Sequence, residues 1–303
     1  MRAQQVIALL FLIYAVGYAF CICVRAWRER TLIKKEPGRF WQISLGETAV
    51  YFLTTMGFPD FILNTLLLRR CGWVEDKRLP GTLVAASVLP GALIACIYLW
   101  GGNTLHLPTL LLSMAAIAAG STTGARIVNA LNGKTIRRIM GIAILFSMGA
   151  LILKILLSSG VSGTISVLTP LQLCAVLPLM FGFGLINMFG VPMKPPTIAL
   201  FLLLGLSPID TLALTMAIGV TSPIAGGIQV LRSGNYQQKI VLAGTFFGLI
   251  GAALGAVFTV TLSAAVLNLI LLAIMALAAV SMLVPQDGNK NKTNPAQQKR
   301  NCK

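Results

Sequence analysis

The stretch Gly57-Phe58-Pro59-Asp60 interrupts an apolar segment, 41–68, that is otherwise long enough to cross a membrane. A second apolar segment, 170–206, is interrupted in a similar way by Gly190-Val191-Pro192-Met193-Lys194. Glycine and proline both disfavour a continuous helix, so each segment is predicted to form two shorter helices joined by a break. The breaks decide the fold because backbone released from a helix inside a bilayer must find partners in protein or in a watery cavity.

The composition around these segments is that of a helical membrane protein. The 303 residues are 56% hydrophobic and only 11% charged, whereas soluble domains have about 25% charged residues. This excludes a soluble globular protein, a disordered chain and a disulfide scaffold. Further spans of about 20 apolar residues each are predicted at 5–24, 81–100, 108–131, 138–158, 210–231, 238–262 and 264–284.

The net charge of +16 would suit a nucleic-acid partner, but the basic residues lie in short loops and the tail. Such clusters mark cytoplasmic loops; they occupy 25–39, 69–78, 126–138, 232–239 and the tail 285–303. All of them fall on one side if 41–68 enters the membrane and returns as a hairpin. By the same argument, the segment 170–206 is predicted to enter the membrane from the outside and return. Two full crossings of that segment would give the same sidedness. The N-terminus is then outside and the tail cytoplasmic.

An internal repeat relates the two broken segments. Residues of the first segment match residues of the second that follow at a constant spacing, the spacing from Gly57 to Gly190. We call this spacing the repeat offset. The positions paired by it are Gly57 and Gly190, Pro59 and Pro192, Gly72 and Gly205, Thr82 and Thr215, Pro90 and Pro223, and Gly101 and Gly234. Two Gly-x-x-x-Gly-Ala motifs, at 120–125 and 251–256, continue the repeat at a slightly shorter offset.

Each half therefore contains a broken hairpin and three crossings, and because three is odd the second half is inverted. Inverted repeats with broken helices are typical of transporters, whose substrate binds between the halves.

The predicted fold is an all-α polytopic membrane protein with two inverted repeats, 41–158 and 159–284. An extra N-terminal transmembrane helix and a basic cytoplasmic loop, 1–40, precede them. The apolar run of that helix is too long for a signal peptide, so we expect it to be uncleaved. A polar, basic cytoplasmic tail, 285–303, follows and is expected to be disordered.

Two ionisable residues follow the breaks, where charges are costly and usually functional. Asp60 and Lys194 are expected to meet at the hairpin tips. Lys194 and the N–H groups at the half-helix N-termini would suit an anion, and Asp60 would carry a coupling proton. Alternatively the pair is structural and the anion binds elsewhere. The predicted substrate-binding residues are Gly57, Pro59, Asp60, Asn64, Asn187, Gly190, Pro192, Lys194, Thr221 and Ser222.

The other polar residues indicate little chemistry. Glu47 ranks below Asp60 because it is expected to be cytoplasmic and solvated. The chain has one histidine, His106, and six cysteines without zinc spacing, and it has no phosphate-binding glycine loop followed by lysine. We therefore expect no metal, no cofactor and no ATP hydrolysis. An intramembrane enzyme and a non-transporting membrane scaffold are the alternatives from other classes.

The motifs resemble the sulfite exporter TauE/SafE family of membrane permeases over residues 42–284. The resemblance rests on a glycine-bearing break, an apolar run, a short turn and a Thr- or Ser-bearing helix. In the second half these four features are Gly190-Val191-Pro192, 200–204, Gly205-Leu206-Ser207-Pro208 and the helix from Thr215. Two further matching stretches follow at 232–236 and 251–256. The first half ends with comparable stretches at 120–126 and 134–138. Where that family has a run of glycines at each break, this chain has the two stretches quoted above.

The resemblance implies transport of a small, often sulfur-containing anion such as sulfite or a sulfonate. The expected location is the bacterial plasma membrane. The expected partners are the lipid bilayer and the anionic solute, without nucleic acid, and a homo-oligomer is compatible with the pattern.

Cys71 tests the predicted sidedness because it lies in the basic cluster 69–78. In a variant that keeps Cys71 as its sole cysteine, we expect a membrane-impermeant thiol reagent to label it only from the cytoplasmic side. Labelling of intact cells from the outside would contradict the hairpin arrangement of 41–68.

Overall fold

A computed structural model describes residues 3–55, 58–100, 105–158 and 165–257, together with 273, 276 and 277. Gly57, Gly101, the predicted span 264–284 and the tail 285–303 lie outside the described residues, as does the end of the predicted span 238–262.

The described residues form α-helices without a β-strand, which confirms the predicted all-α class. In chain order the helices are α1 (Ala3–Arg28), α2 (Arg30–Lys35), α3 (Phe40–Thr55), α4 (Asp60–Arg70), α5 (Leu79–Trp100), α6 (Leu107–Ala130), α7 (Gly133–Ser158), α8 (Pro170–Asn187), α9 (Lys194–Leu203), α10 (Pro208–Ser233) and α11 (Gln238–Val257).

Six of these helices, α1, α5, α6, α8, α10 and α11, are long and apolar enough to cross a membrane. Five of them coincide with predicted spans, and α8 is the first part of the broken segment 170–206. The predicted span 138–158 lies within α7. Large apolar side chains such as Leu10, Ile13 and Phe20 on α1 are exposed, which is consistent with an integral membrane protein in contact with lipid.

Both predicted breaks separate a longer helix from a shorter one. The first lies between α3 and α4, and the second between α8 and α9. At 1.5 Å per residue α4 is about 16 Å long and α9 about 15 Å, close to half of the roughly 30 Å hydrocarbon thickness. Each short helix is therefore long enough to cross only about half of a bilayer.

The centre of the fold is formed by α5 and α10, which pack against each other and are largely buried. Pro90 and Pro223 lie inside them. Around this pair α11 packs on α5, α6 packs on α10, and α1 packs mainly on α5. On α1 the Tyr14 hydroxyl donates to the Ile224 carbonyl of α10 at 2.8 Å, so α1 contacts both central helices.

The two short helices end in the same turn. After α4, Gly72 has φ +65° and the Trp73 N–H donates to the Leu68 carbonyl at 3.0 Å. After α9, Gly205 has φ +88° and the Leu206 N–H donates to the Phe201 carbonyl at 3.0 Å. This is the Schellman arrangement, which favours glycine because its first residue beyond the cap is left-handed.

Glycines also allow two pairs of helices to approach closely. Gly120 and Gly124 of α6 lie against the Phe181 and Leu185 carbonyls of α8. Gly251 and Gly255 of α11 lie against the Thr48 and Phe52 carbonyls of α3. A Cβ atom at any of these glycines would collide with backbone, which cannot move aside as a flexible side chain can. Small residues serve this purpose between helices in membranes.

Gly251→Ala should therefore destabilise the protein by about 1–3 kcal/mol, the usual cost of overpacking. The matched control is Gly182→Ala in α8, where a Cβ atom would meet nothing within 4 Å. We expect the control to unfold at or slightly above the wild-type temperature, because alanine favours helix. Thermal unfolding of the detergent-purified protein measures both, and equal stability of the two variants would refute the close approach.

Candidate functional site

The site begins at the two helix breaks. Pro59 precedes α4 in an extended conformation, with φ −73° and ψ 115°. In the second break Gly190 has φ +81°, a left-handed conformation that other residues rarely adopt. A Cβ atom there would also lie 2.7 Å from Met140 Cε of α7. The backbone at Pro59 and Gly190 thus explains these two residue types, on which the prediction was partly based.

Asp60 is the first residue of α4 and Lys194 the first residue of α9, and their side chains meet. Lys194 Nζ donates to Asp60 Oδ1 at 3.3 Å. The two side chains, of Lys194 and Asp60, are only 20% and 14% exposed, respectively. The predicted contact between the hairpin tips is therefore present, and an ion pair joins two half-helices that are far apart in sequence.

A small, partly open cavity adjoins this pair. Of the predicted residues, Asp60, Asn187, Pro192 and Lys194 line it. Both central helices contribute to its wall. The lining residues that sequence reasoning missed are Tyr51, Thr54, Phe61, Ser87, Gly91, Ile94, Met193, Met216, Gly219, Val220 and Pro223.

One signal could have found some of the missed residues. Gly91 follows Pro90 in α5, and Gly219 lies four residues before Pro223 in α10. The carbonyl of residue 219 has no N–H donor at Pro223, since proline lacks one. Proline inside a buried helix therefore points to backbone that faces the cavity.

Asn187, which lines the cavity, forms a buried hydrogen-bond network with Ser222 and Ser121. Asn187 Nδ2 donates to the Val191 carbonyl at 2.8 Å, which bridges the second break. Ser222 Oγ donates to Asn187 Oδ1 at 2.7 Å, and Ser121 Oγ donates to Ser222 Oγ at 2.8 Å. This network connects α6, α8 and α10 and holds the break in place.

Thr221 and Ser222 were predicted to line the cavity, but neither is among its described lining residues. The Thr221 hydroxyl donates to the Ala217 carbonyl of its own helix at 3.2 Å. Asn64 is likewise turned away from the cavity and bonds to Glu47. These side chains stabilise the walls of the cavity.

The two half-helix N-termini differ in their backbone donors. In α4 the first intrahelical bond is from the Leu63 N–H to the Pro59 carbonyl, so the N–H groups of residues 60–62 precede it. In α9 the second and third residues are Pro195 and Pro196, which have no N–H. N–H groups were expected to bind an anion at both N-termini. Most of these groups therefore lie at α4, while α9 contributes the Lys194 ammonium.

Glu47 corrects the expectation of a solvated carboxyl. Its side chain is 0% exposed in the interior of α3. Asn64 Nδ2 of α4 donates to its Oε2 at 3.2 Å, and Gly244 of α11 lies against the carboxyl group. Helix α11 comes from the far end of the described chain and covers this face of α3, which explains why the burial of Glu47 could not be inferred from the local pattern.

No family model, curated protein or solved structure matches the chain. The resemblance to the TauE/SafE family remains a prediction from the motifs quoted above. Over the described residues, no group of three or more His, Cys, Asp and Glu side chains is placed to hold a metal ion.

The Asp60–Lys194 pair can be tested by removing one charge and then both. Lys194→Met should lower the free energy of unfolding by about 1–3 kcal/mol, because it leaves the Asp60 carboxylate without its partner. The double variant with Asp60→Asn should lose less than the sum of the two single variants. Thermal unfolding in detergent measures this coupling, and strictly additive losses would mean that the two side chains do not interact.

Proposed function

We propose that the chain is a secondary transporter of a small anion, such as sulfite or an organosulfonate, that works by alternating access between two inverted repeats. One observation carries the proposal: α4 and α9 both begin beside one cavity, where Asp60 meets Lys194. Broken helices that end at a central cavity are the usual way in which secondary transporters present backbone and charge to a solute.

Equivalent contacts in the two halves support the repeat. In each half, the two glycines of a Gly-x-x-x-Gly-Ala motif contact carbonyls one helical turn apart. The carbonyl pairs are Phe181 and Leu185 in one case and Thr48 and Phe52 in the other, and the two pairs are again separated by the repeat offset. The turns after α4 and α9 and the buried prolines of α5 and α10 keep the same offset.

Helix packing follows the same symmetry. Helix α3 packs on α11 and α8 packs on α6, while α5 packs on α11 and α10 packs on α6. Exchanging each helix for its counterpart converts one set of contacts into the other. A two-fold relation between halves of opposite orientation accounts for this pattern, and the distribution of basic clusters supports an N-terminus outside and a tail in the cytoplasm of a bacterial cell.

The charges define how the cavity would handle an anion. The Lys194 ammonium bonds to the Asp60 carboxylate, and Asp60 lies at the end of α4 where the first N–H groups of the helix are. An entering oxyanion would replace that carboxylate on Lys194 and bond to these donors. Asp60, released from the pair, would carry the coupling proton.

A transporter is favoured over an intramembrane enzyme by the chemistry of the cavity wall. Ser87 lines it, but its hydroxyl donates to the Val84 carbonyl of its own helix at 3.0 Å. His106, the one histidine of the chain, bonds to Thr109 at 2.8 Å at the start of α6 and is not among the lining residues. Nucleophilic catalysis would need such a hydroxyl and a base in contact. A scaffold would leave the cost of two charges at the breaks unexplained.

Uptake of radiolabelled sulfite into proteoliposomes that contain the purified full chain tests the proposal. Lys194→Ala and Asp60→Asn should each reduce the initial rate about tenfold or more, as expected for loss of a charged contact worth about 1.5–3 kcal/mol. Lys77→Ala, in the exposed loop after α4, is the control and should transport like the wild type. Unchanged rates in both site variants would remove the site assignment, and a wild-type protein that moves no small oxyanion would remove the function.

A further inference from the structure

We propose that Glu47, held by Asn64, is a proton-binding site that couples proton movement to transport through the neighbouring cavity. The inference rests on the proposed function. It adds a second proton-binding carboxyl to that of Asp60. Glu47 and Asn64 contact each other and are not among the residues that line the cavity.

The Glu47–Asn64 pair is buried and incompletely bonded. Glu47 is 0% and Asn64 1% exposed. One carboxyl oxygen, Oε2, accepts the Asn64 amide at 3.2 Å, whereas Glu47 Oε1 and Asn64 Oδ1 have no hydrogen-bond partner in the described part of the chain. Buried polar atoms are bonded in the great majority of cases, so Glu47 Oε1 is available to hold a proton that would bond to a neighbouring oxygen.

The charged side chains on the helices around Glu47 bond to residues other than Glu47 or are exposed. Asp60 of α4 pairs with Lys194, and Arg69 of α4 pairs with Asp76 at 3.7 Å. Arg70, also on α4, is exposed at its far end. On α11, Lys239 Nζ bonds to the carbonyls of Glu36 and Gly38.

Helix α5 contains no Asp, Glu, Lys or Arg, and Glu47 is the one charged residue of α3. The carboxyl therefore has no cation within ion-pair distance among the described residues. An isolated buried carboxylate costs far more than a neutral carboxyl. A proton on Oε1 removes that cost.

A proton fits this place better than a metal cation. Gly244 of α11 lies against the Glu47 carboxyl and Ala86 of α5 lies against Gly244, so the neighbourhood on that side is apolar. A hard cation requires a shell of several oxygen ligands. A proton requires one carboxyl oxygen.

The pair lies one helical turn from the cavity on both helices of the first hairpin. Tyr51 follows Glu47 by four residues on α3, and Asp60 precedes Asn64 by four residues on α4; both line the cavity. The Tyr51 hydroxyl has no hydrogen-bond partner within the described ranges. Along α3, Tyr51 thus lies between Glu47 and the cavity. A hydronium ion in the cavity would transfer a proton to Glu47 Oε1 and leave a water molecule, and the proton would return to water after the cavity opens to the other side.

The second repeat indicates that the carboxyl is not needed for folding. At the positions related by the repeat offset, Met180 replaces Glu47 and Thr197 replaces Asn64. Met180 is fully buried, and the Thr197 hydroxyl donates to the Met193 carbonyl at 2.8 Å, so this counterpart has no orphaned oxygen. The same hairpin position packs with apolar and self-bonded side chains, which leaves function as the reason for an acid at Glu47.

The experiment uses the full chain in proteoliposomes and two independent measurements. Infrared spectroscopy detects a protonated carboxyl that Glu47→Gln should remove, and this measurement needs no transported solute. A pH-sensitive dye inside the vesicles detects proton movement when a sulfite gradient is applied, and we expect Glu47→Gln to lose this signal. Glu75→Gln, which removes an exposed carboxyl in the loop before α5, is the matched control and should retain both signals.

The double variant Glu47→Met, Asn64→Thr copies the second repeat and guards against a folding defect. It should remain folded, by thermal unfolding, and lose both signals. An unchanged infrared carboxyl signal or unchanged sulfite-driven proton movement in Glu47→Gln would overturn the proposal. If the wild type moves no solute while the infrared signal is lost in Glu47→Gln, the proton site stands and the proposed transport function fails.

Discussion

Two helix ends that lie within an apolar protein layer require partners for their backbone groups and their charges. A continuous helix satisfies its own carbonyl and N–H groups, but a broken one does not. Here the breaks before α4 and α9 lie together, so that groups at one helix end bond to groups at the other. The Asp60–Lys194 pair joins the half-helices, Asn187 bridges the second break to the Val191 carbonyl, and the central helices enclose the rest. The cavity lies where the two breaks meet the central helices.

The backbone framework could be predicted from the sequence because it depends on residues with special conformations. Gly190 is left-handed, Gly205 ends α9 and Pro223 lies inside α10, and each has a counterpart in the first half at the repeat offset. The positions of Asp60 and Lys194 were predictable for the same reason, since they adjoin the breaks.

The side chains that depend on long-range packing could not be predicted. Glu47 is buried by α11, and Tyr51 and Thr54 line the cavity in a helix, α3, that packs on α11 and α4. Nothing in their local sequence distinguishes them from ordinary residues of an apolar helix. The loss of donors at Pro195 and Pro196 was visible in the sequence, but its significance required the position of Lys194 at the start of α9.

The two halves share backbone devices and differ in chemistry. Glycines at close contacts, prolines in the central helices and left-handed turns recur at equivalent places. The acids and the lysine do not: Asp60 corresponds to Met193 and Lys194 to Phe61. A repeated framework can therefore hold an asymmetric site, in which one half supplies carboxyl groups and the other supplies the ammonium.

The glycine contacts limit which parts of the molecule can move as units. Helix α3 lies against the backbone of α11, and α8 lies against the backbone of α6, so each hairpin is fastened to a helix of the opposite half. Sliding at such contacts would force Cα atoms past carbonyls, which close packing resists. The rigid bodies of any rocking motion would then be cross-connected pairs, α3 with α11 and α8 with α6, and the hinge axis would not follow the boundary between the first and second halves of the chain.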